Sequence, residues 1–248
     1  MKIFPAIDLR AGKCVRLVQG KLDQETVFAD NPVEMAKAWE SKGAEFLHLV
    51  DLDGAFSGKP QNLGVIREIV ANVNIPVQLG GGIRVMEVIE EILELGVARV
   101  ILGTVAIGNP RLVESACRQY PGKIVVGIDS KDGKVAVEGW DITSEREGVE
   151  LALEMKKLGV ERIIYTDIKR DGMLTGPNLA GTKDLAERTG MQIIASGGIS
   201  CLEDIVQLKK LEAVGIEGVI VGKALYTHAL KLEDALKAAR GEEGGYAG

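Results

Sequence analysis

Short apolar runs alternate with longer amphipathic segments along the whole chain. The runs are rich in Ile and Val and show little polar alternation, which is typical of parallel strands covered on both faces. Because parallel strands need long crossover connections, the amphipathic segments between them are predicted to be helices. We predict eight strands, at Lys2–Ile7, Phe46–Val50, Val77–Leu79, Val100–Leu102, Ile124–Ile128, Ile163–Thr166, Ile193–Ala195 and Val219–Val221.

Start and stop signals bound several of the amphipathic segments. Asn31 is a predicted N-cap, because it precedes a proline at the first helical position, and Gly43 follows the end of that helix. The predicted helices include Pro32–Lys42, Val85–Leu95, Pro110–Tyr120 and Glu147–Leu158. Strands and helices that alternate in this way predict an α/β fold, which could be an open doubly wound sheet or a TIM (β/α)8 barrel.

An internal repeat decides in favour of the barrel. The stretch Ile7–Lys13 (IDLRAGK) and the stretch Ile128–Lys134 (IDSKDGK) both place an Asp at the end of a strand and a Gly-Lys pair four residues after it. Three further landmarks recur in the same order, namely Asp51 with Asp167, Gly80–Arg84 with Ser196–Ser200, and Gly103-Thr104 with Gly222-Lys223. We therefore predict one barrel over residues 1–240, built from homologous half-barrels 1–121 and 122–240, with a disordered tail at 241–248.

Composition and charge narrow the range of partners. The formal net charge of -6 argues against nucleic acid, because no basic stripe is present to neutralise a phosphate backbone. The three cysteines are far apart and match neither a zinc site nor a CxxC pair, which suits reduced thiols. No apolar run has the length of a membrane span and the first residues lack a signal-peptide pattern. We expect a cytoplasmic protein that binds neither nucleic acid nor membrane.

Two aspartates are the main candidates for chemistry. Asp8 and Asp129 each follow an uninterrupted apolar strand, and the repeat puts them opposite each other at the carboxyl ends of the barrel strands, where barrel enzymes place their active sites. A single Asp in such a position is usually a turn or cap residue. Two of them across one rim can divide the roles of general acid and general base. Asp51 and Asp167 also occupy equivalent positions in the two halves, but a structural role in orienting the loops that follow them is as good an explanation as a catalytic role.

Glycine-rich turns after four strands are the second signal. Backbone N–H groups at such turns bind phosphate oxygens, and these turns fall in symmetric pairs, which predicts two phosphate sites on opposite sides of the rim. The residues concerned are Gly81, Gly82, Gly103 and Thr104 in the first half, and Ser196, Gly197, Gly198, Gly222 and Lys223 in the second. No G-x-G-x-x-G is completed, so neither NAD nor FAD is expected.

Four other residues or segments have more than one interpretation. Arg16, in the loop region after the first strand, is either a residue that binds substrate or a solvated surface residue. Trp140, in the loop after the fifth strand, either stacks on a planar ligand or only packs the loop. Thr166 is either a hydrogen-bonding group in the site or an ordinary strand residue, and Lys169–Gly176 has the composition of a lid. The two histidines, His48 in a strand and His228 in a predicted terminal helix, have no partners that suggest a triad or a metal site, and no metal is expected.

The motifs together resemble the histidine-biosynthesis barrel family, and within it the ProFAR isomerases, which act on a phosphoribosylformimino aminoimidazole carboxamide ribotide. The matching stretches are Pro5–Leu9, Gly12-Lys13, His48–Ala55, Gly80–Arg84, Gly103-Thr104, Gly127–Asp129, Gly139-Trp140, Thr166–Ile168, Asp171-Gly172, Ser196–Ile199 and Gly222–Ala224, from Lys2 to about Leu225. The cyclase subunit of imidazole glycerol phosphate synthase shares the barrel and the two aspartates. Its Pro-Cys-Leu-Asp and Ser-Ile-Asp-Arg-Asp-Gly patterns differ from Pro5–Asp8 and from Thr166–Gly172 here.

The resemblance implies an Amadori rearrangement, in which a ribosylamine becomes an aminoketose without a cofactor. It implies Asp129 as the general acid that opens the ribose ring, Asp8 as the base that removes the C2′ proton, and Thr166 as an assisting group. It also places Asp171 and Gly172 among the substrate-binding residues. The implied partner is a small bisphosphorylated substrate, and the chain is expected to act as a monomer.

Three alternatives stay open at this stage. One is the cyclase subunit, which would need a glutaminase partner. Another is a bifunctional isomerase that also accepts phosphoribosyl anthranilate, whose rearrangement follows the same chemistry. The last is a barrel that binds phosphate compounds without turnover, which two opposed carboxylates facing anionic phosphates make the least favoured.

Overall fold

The computed structural model describes residues 1–137, 140 and 142–242. The strands are β1 (Lys2–Arg10), β2 (Lys13–Val18), β3 (Lys21–Ala29), β4 (Leu47–Asp51), β5 (Val77–Gly80), β6 (Arg99–Leu102), β7 (Ile124–Lys131), β8 (Lys134–Val137), β9 (Ile142–Glu147), β10 (Arg162–Asp167), β11 (Gln192–Ser196) and β12 (Ile216–Val221). The helices are α1 (Pro32–Ser41), α2 (Leu52–Ser57), α3 (Leu63–Asn72), α4 (Met86–Glu94), α5 (Val105–Gly108), α6 (Pro110–Gln119), α7 (Gly148–Lys157), α8 (Leu179–Thr189), α9 (Leu202–Lys209), α10 (Lys223–Tyr226) and α11 (Leu232–Arg240).

Eight of these strands form a closed parallel barrel, which confirms the predicted fold class. The ring runs β1, β4, β5, β6, β7, β10, β11, β12, and β12 pairs in parallel with β1 to close it. All eight predicted apolar runs fall on barrel strands. The four helices bounded from the sequence also agree to within a residue or two, and Asn31 caps α1 by accepting hydrogen bonds from Val33 N and Glu34 N. In this ring β1 and β7 lie diametrically opposite each other.

A small apolar layer fills the inside of the barrel, and an ionic layer closes its amino-terminal end. The inner layer comprises Phe4, Ala6, Phe46, Ile101, Val125, Ile164, Ile194 and Ile220. Below it, Glu217 pairs with Lys2 at 2.9 Å, with Arg99 at 3.0 Å and with Arg162 at 2.8 Å. These ion pairs and the apolar layer fill the amino-terminal end of the barrel, and barrel enzymes place their active sites at the opposite, carboxyl-terminal rim.

Two β-hairpin extensions, absent from the eight-strand prediction, rise from opposite sides of that rim. Strands β2 and β3 extend β1, and β8 and β9 extend β7, all by antiparallel pairing. Each first hairpin turn consists of two residues with positive φ, Ala11-Gly12 and Asp132-Gly133, as type I′ turns require. Arg16, which we expected in a loop, therefore lies on strand β2, and Trp140 lies in the turn between β8 and β9.

The loops after the second and sixth barrel strands repeat one arrangement. Asp51 is fully buried and accepts a hydrogen bond of 2.7 Å from the side chain of Asn62, eleven residues later. Asp167 accepts one of 2.9 Å from the side chain of Asn178, also eleven residues later. Both aspartates thus hold the loop that follows their strand, which is the loop-orienting role considered for them. We keep the two homologous halves, meeting at 121/122 in the turn before β7, as a proposal that this symmetry supports.

Two features at the end of the chain complete the fold. His228 lies in the turn after α10 with φ +58°, which corrects our prediction of a terminal helix there, because α10 ends at Tyr226 and α11 begins at Leu232. Gly241 ends α11 in the left-handed conformation, and residues 243–248 of the predicted tail lie outside the described residues. Among the helices of the described chain, none combines the length and the apolar character of a membrane span.

Candidate active site

Asp8 lies where β1 leaves the barrel and begins its hairpin. Its backbone is opposite Val50 of β4 on one side and Val15 of β2 on the other. Its carboxylate accepts a hydrogen bond of 2.7 Å from Nη1 of Arg16, and both side chains are almost completely buried. Burial raises the pKa of Asp8 to about 6, the Arg16 cation opposes this rise, and the Asp171 carboxylate adds to it. Asp8 therefore changes its protonation state close to neutral pH, as a general base needs to do.

Asp129 occupies the equivalent place on β7, on the opposite side of the ring. It is paired in register with Thr166 of β10, and its carboxylate accepts a hydrogen bond of 2.7 Å from Nε1 of Trp140. Burial raises the pKa of Asp129, while hydrogen bonds from Trp140 and Thr166 lower it and the charge of Asp171 raises it further. The two donors orient the carboxyl group, and the raised pKa favours its protonated form, which is the form that a general acid needs.

Asp171, in the loop after β10, is the third carboxylate of the site. Its charge raises the pKa of both Asp8 and Asp129, so it lies close to each of them. Burial raises the pKa of Asp171 itself, and the cations of Arg16 and Lys223 lower it. Three largely buried carboxylates and two cations thus converge on one region of the rim.

Contacts between three loops cover this region. A Cβ atom added to Gly20, between β2 and β3, would lie 2.8 Å from the Trp140 ring, so the indole packs directly on that glycine. The side chain of Gln19 donates to the carbonyl of Lys169, and the ammonium of Lys223 donates to the carbonyl of Gly172 at 2.8 Å. The predicted lid segment Lys169–Gly176 is therefore joined to the first hairpin and to the end of β12.

The glycine turns of the first half lie against the loop after β4. Gly81 has φ +112°, and a Cβ atom there would lie 2.2 Å from the carbonyl oxygen of Asp51, so no other residue fits this backbone. Gly82 packs in the same way on the carbonyl of Gly54. A Cβ atom added to Gly103 would meet no atom of the described residues within 4 Å, and Thr104 follows as the N-cap of α5.

The second half repeats this packing against the lid segment. Ser196 ends β11 opposite Thr166, and a Cβ atom on Gly197 would lie 2.8 Å from the carbonyl oxygen of Asp167. Gly198 has φ +90°, and a Cβ atom there would lie 2.2 Å from the carbonyl oxygen of Gly176, so only glycine fits at this position. Gly222 packs against the guanidinium of Arg16. The structure therefore brings the expected glycines of this half to the side of the rim that also holds Arg16.

His48 lies in the barrel core, with 8% of its surface exposed. Its Nδ1 is 3.0 Å from Nε2 of Gln78 on the neighbouring strand. Burial lowers the pKa of His48 to about 3, and the nearby Arg16 cation lowers it further, so the imidazole is neutral. Within the described residues, no group of three or more His, Cys, Asp or Glu side chains is arranged to hold a metal ion.

Sequence reasoning missed two elements of the site. The supporting residues Asn62 and Asn178 could have been found, because each follows a repeated aspartate at the same spacing of eleven residues. The ion pair of Arg16 with Asp8 was harder to predict from the sequence. Alternate residues of a strand face the same side, but this rule can be applied to Arg16 only after the hairpin has been recognised.

Comparison with known proteins identifies the family of this chain. The family model described as histidine biosynthesis protein matches residues 2–231. A protein of Desulforamulus reducens is 58% identical over 243 residues, which cover 98% of this chain and 99% of the relative. Relatives from Geobacter sulfurreducens (55% over 236 residues, 95% of this chain and 97% of the relative) and Synechocystis (54% over 238 residues, 96% and 93%) are similar throughout.

All three relatives carry the same name, 1-(5-phosphoribosyl)-5-((5-phosphoribosylamino)methylideneamino)imidazole-4-carboxamide isomerase. The match extends over the barrel strands, both hairpins and every candidate site residue named above. The chain belongs to the histidine biosynthesis protein family.

Proposed function

We propose that this chain is an isomerase that converts ProFAR, the substrate in its relatives' name, into the phosphoribulosyl isomer by an Amadori rearrangement. The observation that carries the proposal is the pair of largely buried carboxylates, Asp8 and Asp129, on opposite barrel strands with raised pKa values and a third carboxylate, Asp171, close to both. An isomerisation of this kind needs one group that gives a proton and one that takes a proton.

In the proposed mechanism, the protonated carboxyl of Asp129 donates its proton to the ribose ring oxygen. The bond from that oxygen to C1′ then breaks, and the ring opens to a Schiff base. The carboxylate of Asp8 removes the C2′ proton, which gives an enolamine. The enolamine becomes the ketone when C1′ takes up a proton from Asp8 and the C2′ hydroxyl gives its proton up to Asp129, so both aspartates return to their starting protonation states. Trp140 and Thr166 orient Asp129 through hydrogen bonds, and Trp140 offers its ring to the planar part of the substrate.

Binding in this proposal uses the glycine turns at the two sides of the rim. A substrate with a phosphate at each end would place one against Gly81, Gly82, Gly103 and Thr104, and the other against Ser196, Gly197, Gly198 and Gly222. Backbone N–H groups at such turns are suited to phosphate oxygens. Arg16 and Lys223 add positive charge on the second side, and Asp171 and Gly172 belong to the loop that closes it.

A steady-state assay tests the activity. Purified protein given ProFAR is expected to change the absorbance of the substrate with no added metal or nucleotide, and with undiminished rate in the presence of a chelator. Phosphoribosyl anthranilate, assayed in parallel, tells whether the chain has one substrate or two. If ammonia and the isomerised product gave imidazole glycerol phosphate, the chain would instead be the cyclase subunit. Tight binding of ProFAR without turnover would leave only a binding protein.

The pH dependence of the reaction follows from the base. Asp8 must be deprotonated to accept the C2′ proton, and its pKa is raised to about 6, so kcat/KM is expected to rise as the pH increases through about 6. Asp129 must be protonated and burial raises its pKa, so kcat/KM is expected to fall over the pH range in which this residue loses its proton. The measurement is a kcat/KM profile from pH 4.5 to 9. A rate that is already maximal and flat at pH 4.5 would contradict the role of Asp8.

The proposal includes a cytoplasmic monomer. All three cysteines are free thiols, two of them buried and Cys201 exposed, which suits a reducing compartment. Every residue given a role in the mechanism belongs to the rim of one barrel, so a second copy of the chain is not needed for the chemistry. Gel filtration coupled to light scattering would measure the oligomeric state.

A further inference from the structure

Arg16 is a buried cation that touches both the proposed base and a proposed phosphate site. It reaches the rim from β2, where its backbone pairs with Thr26 of β3. Nη1 donates to Asp8 at 2.7 Å, and one tenth of the Arg16 side chain is exposed. A guanidinium this deeply buried needs acceptors for its remaining N–H groups.

The other end of the guanidinium rests on Gly222. A Cβ atom at that position would lie 2.2 Å from Nη2 of Arg16 and 2.4 Å from its Cζ, so the absence of a side chain creates the space that Arg16 occupies. In addition, Nε of Arg16 is buried and has no hydrogen-bond partner among the described residues. The cation therefore has donor capacity left unused beside a glycine turn suited to an anion.

The groups around the ion pair come from several elements. Asp8 is faced by Arg16 and Cys14 of β2, by Asp171 of the lid segment and by Tyr226 of α10. Arg16 in turn is close to Asp171, Tyr226 and the neutral His48. Of these neighbours, Arg16 alone is a cation acting on Asp8, so its position decides how much of the negative charge on Asp8 is neutralised.

We propose that Arg16 couples phosphate binding to the activation of Asp8. When a phosphate group of the substrate binds beside Gly222, the guanidinium turns its donors to the phosphate oxygens and gives up its ion pair with the carboxylate. A guanidinium forms bidentate hydrogen bonds with phosphate, so a phosphate dianion competes well with the Asp8 carboxylate for the N–H donors of Arg16. Asp8 then becomes a stronger base at the moment when a substrate is present. The inference rests on the proposed function, because it takes Asp8 as the base.

The test is a direct titration of Asp8 with inorganic phosphate as the probe. The full chain is labelled with ¹³C at the aspartate carboxyl carbons, the Asp8 signal is assigned with the Asp8→Asn variant, and its titration midpoint is measured with and without phosphate. In the unsubstituted protein, phosphate is expected to raise this midpoint by roughly one pH unit or more and to shift the Nε–H signal of Arg16. An unchanged midpoint at saturating phosphate would overturn the proposal.

Two variants separate the coupling from simple repulsion by the phosphate charge. Arg16→Met is expected to have the higher midpoint without phosphate and to show no further rise. Gly222→Ala displaces only the end of the flexible Arg16 side chain, so the fold is retained and the response to phosphate is expected to be lost. The matched control is Gly64→Ala, in α3 and outside the proposed site, where a Cβ atom meets no atom of the described residues within 4 Å, and it should keep the response. If phosphate raised the Asp8 midpoint by the same amount in Arg16→Met as in the unsubstituted protein, Arg16 would not couple phosphate binding to Asp8.

This readout is independent of turnover, so the two proposals can fail separately. If phosphate moves the Asp8 midpoint but ProFAR is not isomerised, the proposed function is wrong and the coupling stands. If ProFAR is isomerised but the midpoint of Asp8 does not respond, the coupling is wrong and the function stands. Lys13→Gln, which removes an exposed cation from the same strand, is expected to leave the titration of Asp8 and its response unchanged.

Discussion

Replacing Asp8 by Asn is expected to lower kcat for ProFAR by roughly 10²- to 10⁴-fold, the typical contribution of a positioned base. The amide has the size of the carboxyl group and its oxygen can still accept the hydrogen bond from Arg16, so the site keeps its shape. It cannot accept the C2′ proton, however. Because the substitution leaves the glycine turns intact, KM is expected to change much less than kcat. The measurement is steady-state kinetics monitored by the absorbance of the substrate.

The matched control for this variant is Asp53→Asn. Asp53 lies on the same rim, at the start of α2, where it accepts a hydrogen bond from the backbone N–H of Ala11 and is close to Arg10. It has no contact with the cluster around Asp8 among the described residues, so kcat is expected to stay within about twofold, as for most surface changes. Equal kcat values for the Asp8→Asn variant and the unsubstituted protein would remove Asp8 from the mechanism.

The barrel could be predicted from the sequence because its strands are determined by burial. A run such as Ile124–Ile128 is apolar on both faces, since one side meets the barrel interior and the other meets a helix. The four-residue strand β6 was recognised for the same reason. Local composition and packing agree in these segments, which is the condition under which pattern reasoning works.

The hairpins could not be predicted in this way, because contacts distant in sequence determine them. Strand β3 is mostly exposed, and its Phe28 ring packs 4.9 Å from the Tyr226 ring of α10 at the other end of the chain. A six-residue strand such as β2 carries alternation too weak to separate it from a loop. The prediction for Arg16 therefore had the correct region but the wrong kind of element, whereas Trp140 does lie in a turn, one that joins two strands the sequence did not reveal.

The candidate site also contains some residues that the sequence reveals and others that only contacts distant in sequence determine. Asp8 and Asp129 can be predicted because they occupy equivalent positions in the two halves of the repeat, and the repeat is visible in the sequence. The contact of Arg16 with Gly222 has no counterpart at the equivalent Gly103, where a Cβ atom would meet no atom of the described residues within 4 Å. Departures from the twofold repeat are thus the features that only the structure reveals, and the proposed coupling is one of them.

Replacing Asp129 by Asn is expected to lower kcat by a similar factor, roughly 10²- to 10⁴-fold, because the amide has no acidic proton for the ribose oxygen. The oxygen of the amide can still accept the hydrogen bond from Nε1 of Trp140, so the indole keeps its place on Gly20.

Trp140→Phe is the companion variant. It removes a donor that favours the charged form of Asp129, so the pKa of Asp129 should rise, and the alkaline fall of kcat/KM should move to higher pH.

Asp171 makes this experiment decisive, since burial raises its pKa as well and its charge acts on both other carboxylates. Asp171→Asn is expected to keep more activity than Asp129→Asn, because Asp171 is paired electrostatically with Arg16 and Lys223 and is assigned to binding here. The opposite order, with Asp129→Asn active and Asp171→Asn inactive, would transfer the acid role to Asp171. The pH profiles of the two variants report which carboxyl group must be protonated, so they distinguish the two assignments even where both rates are low.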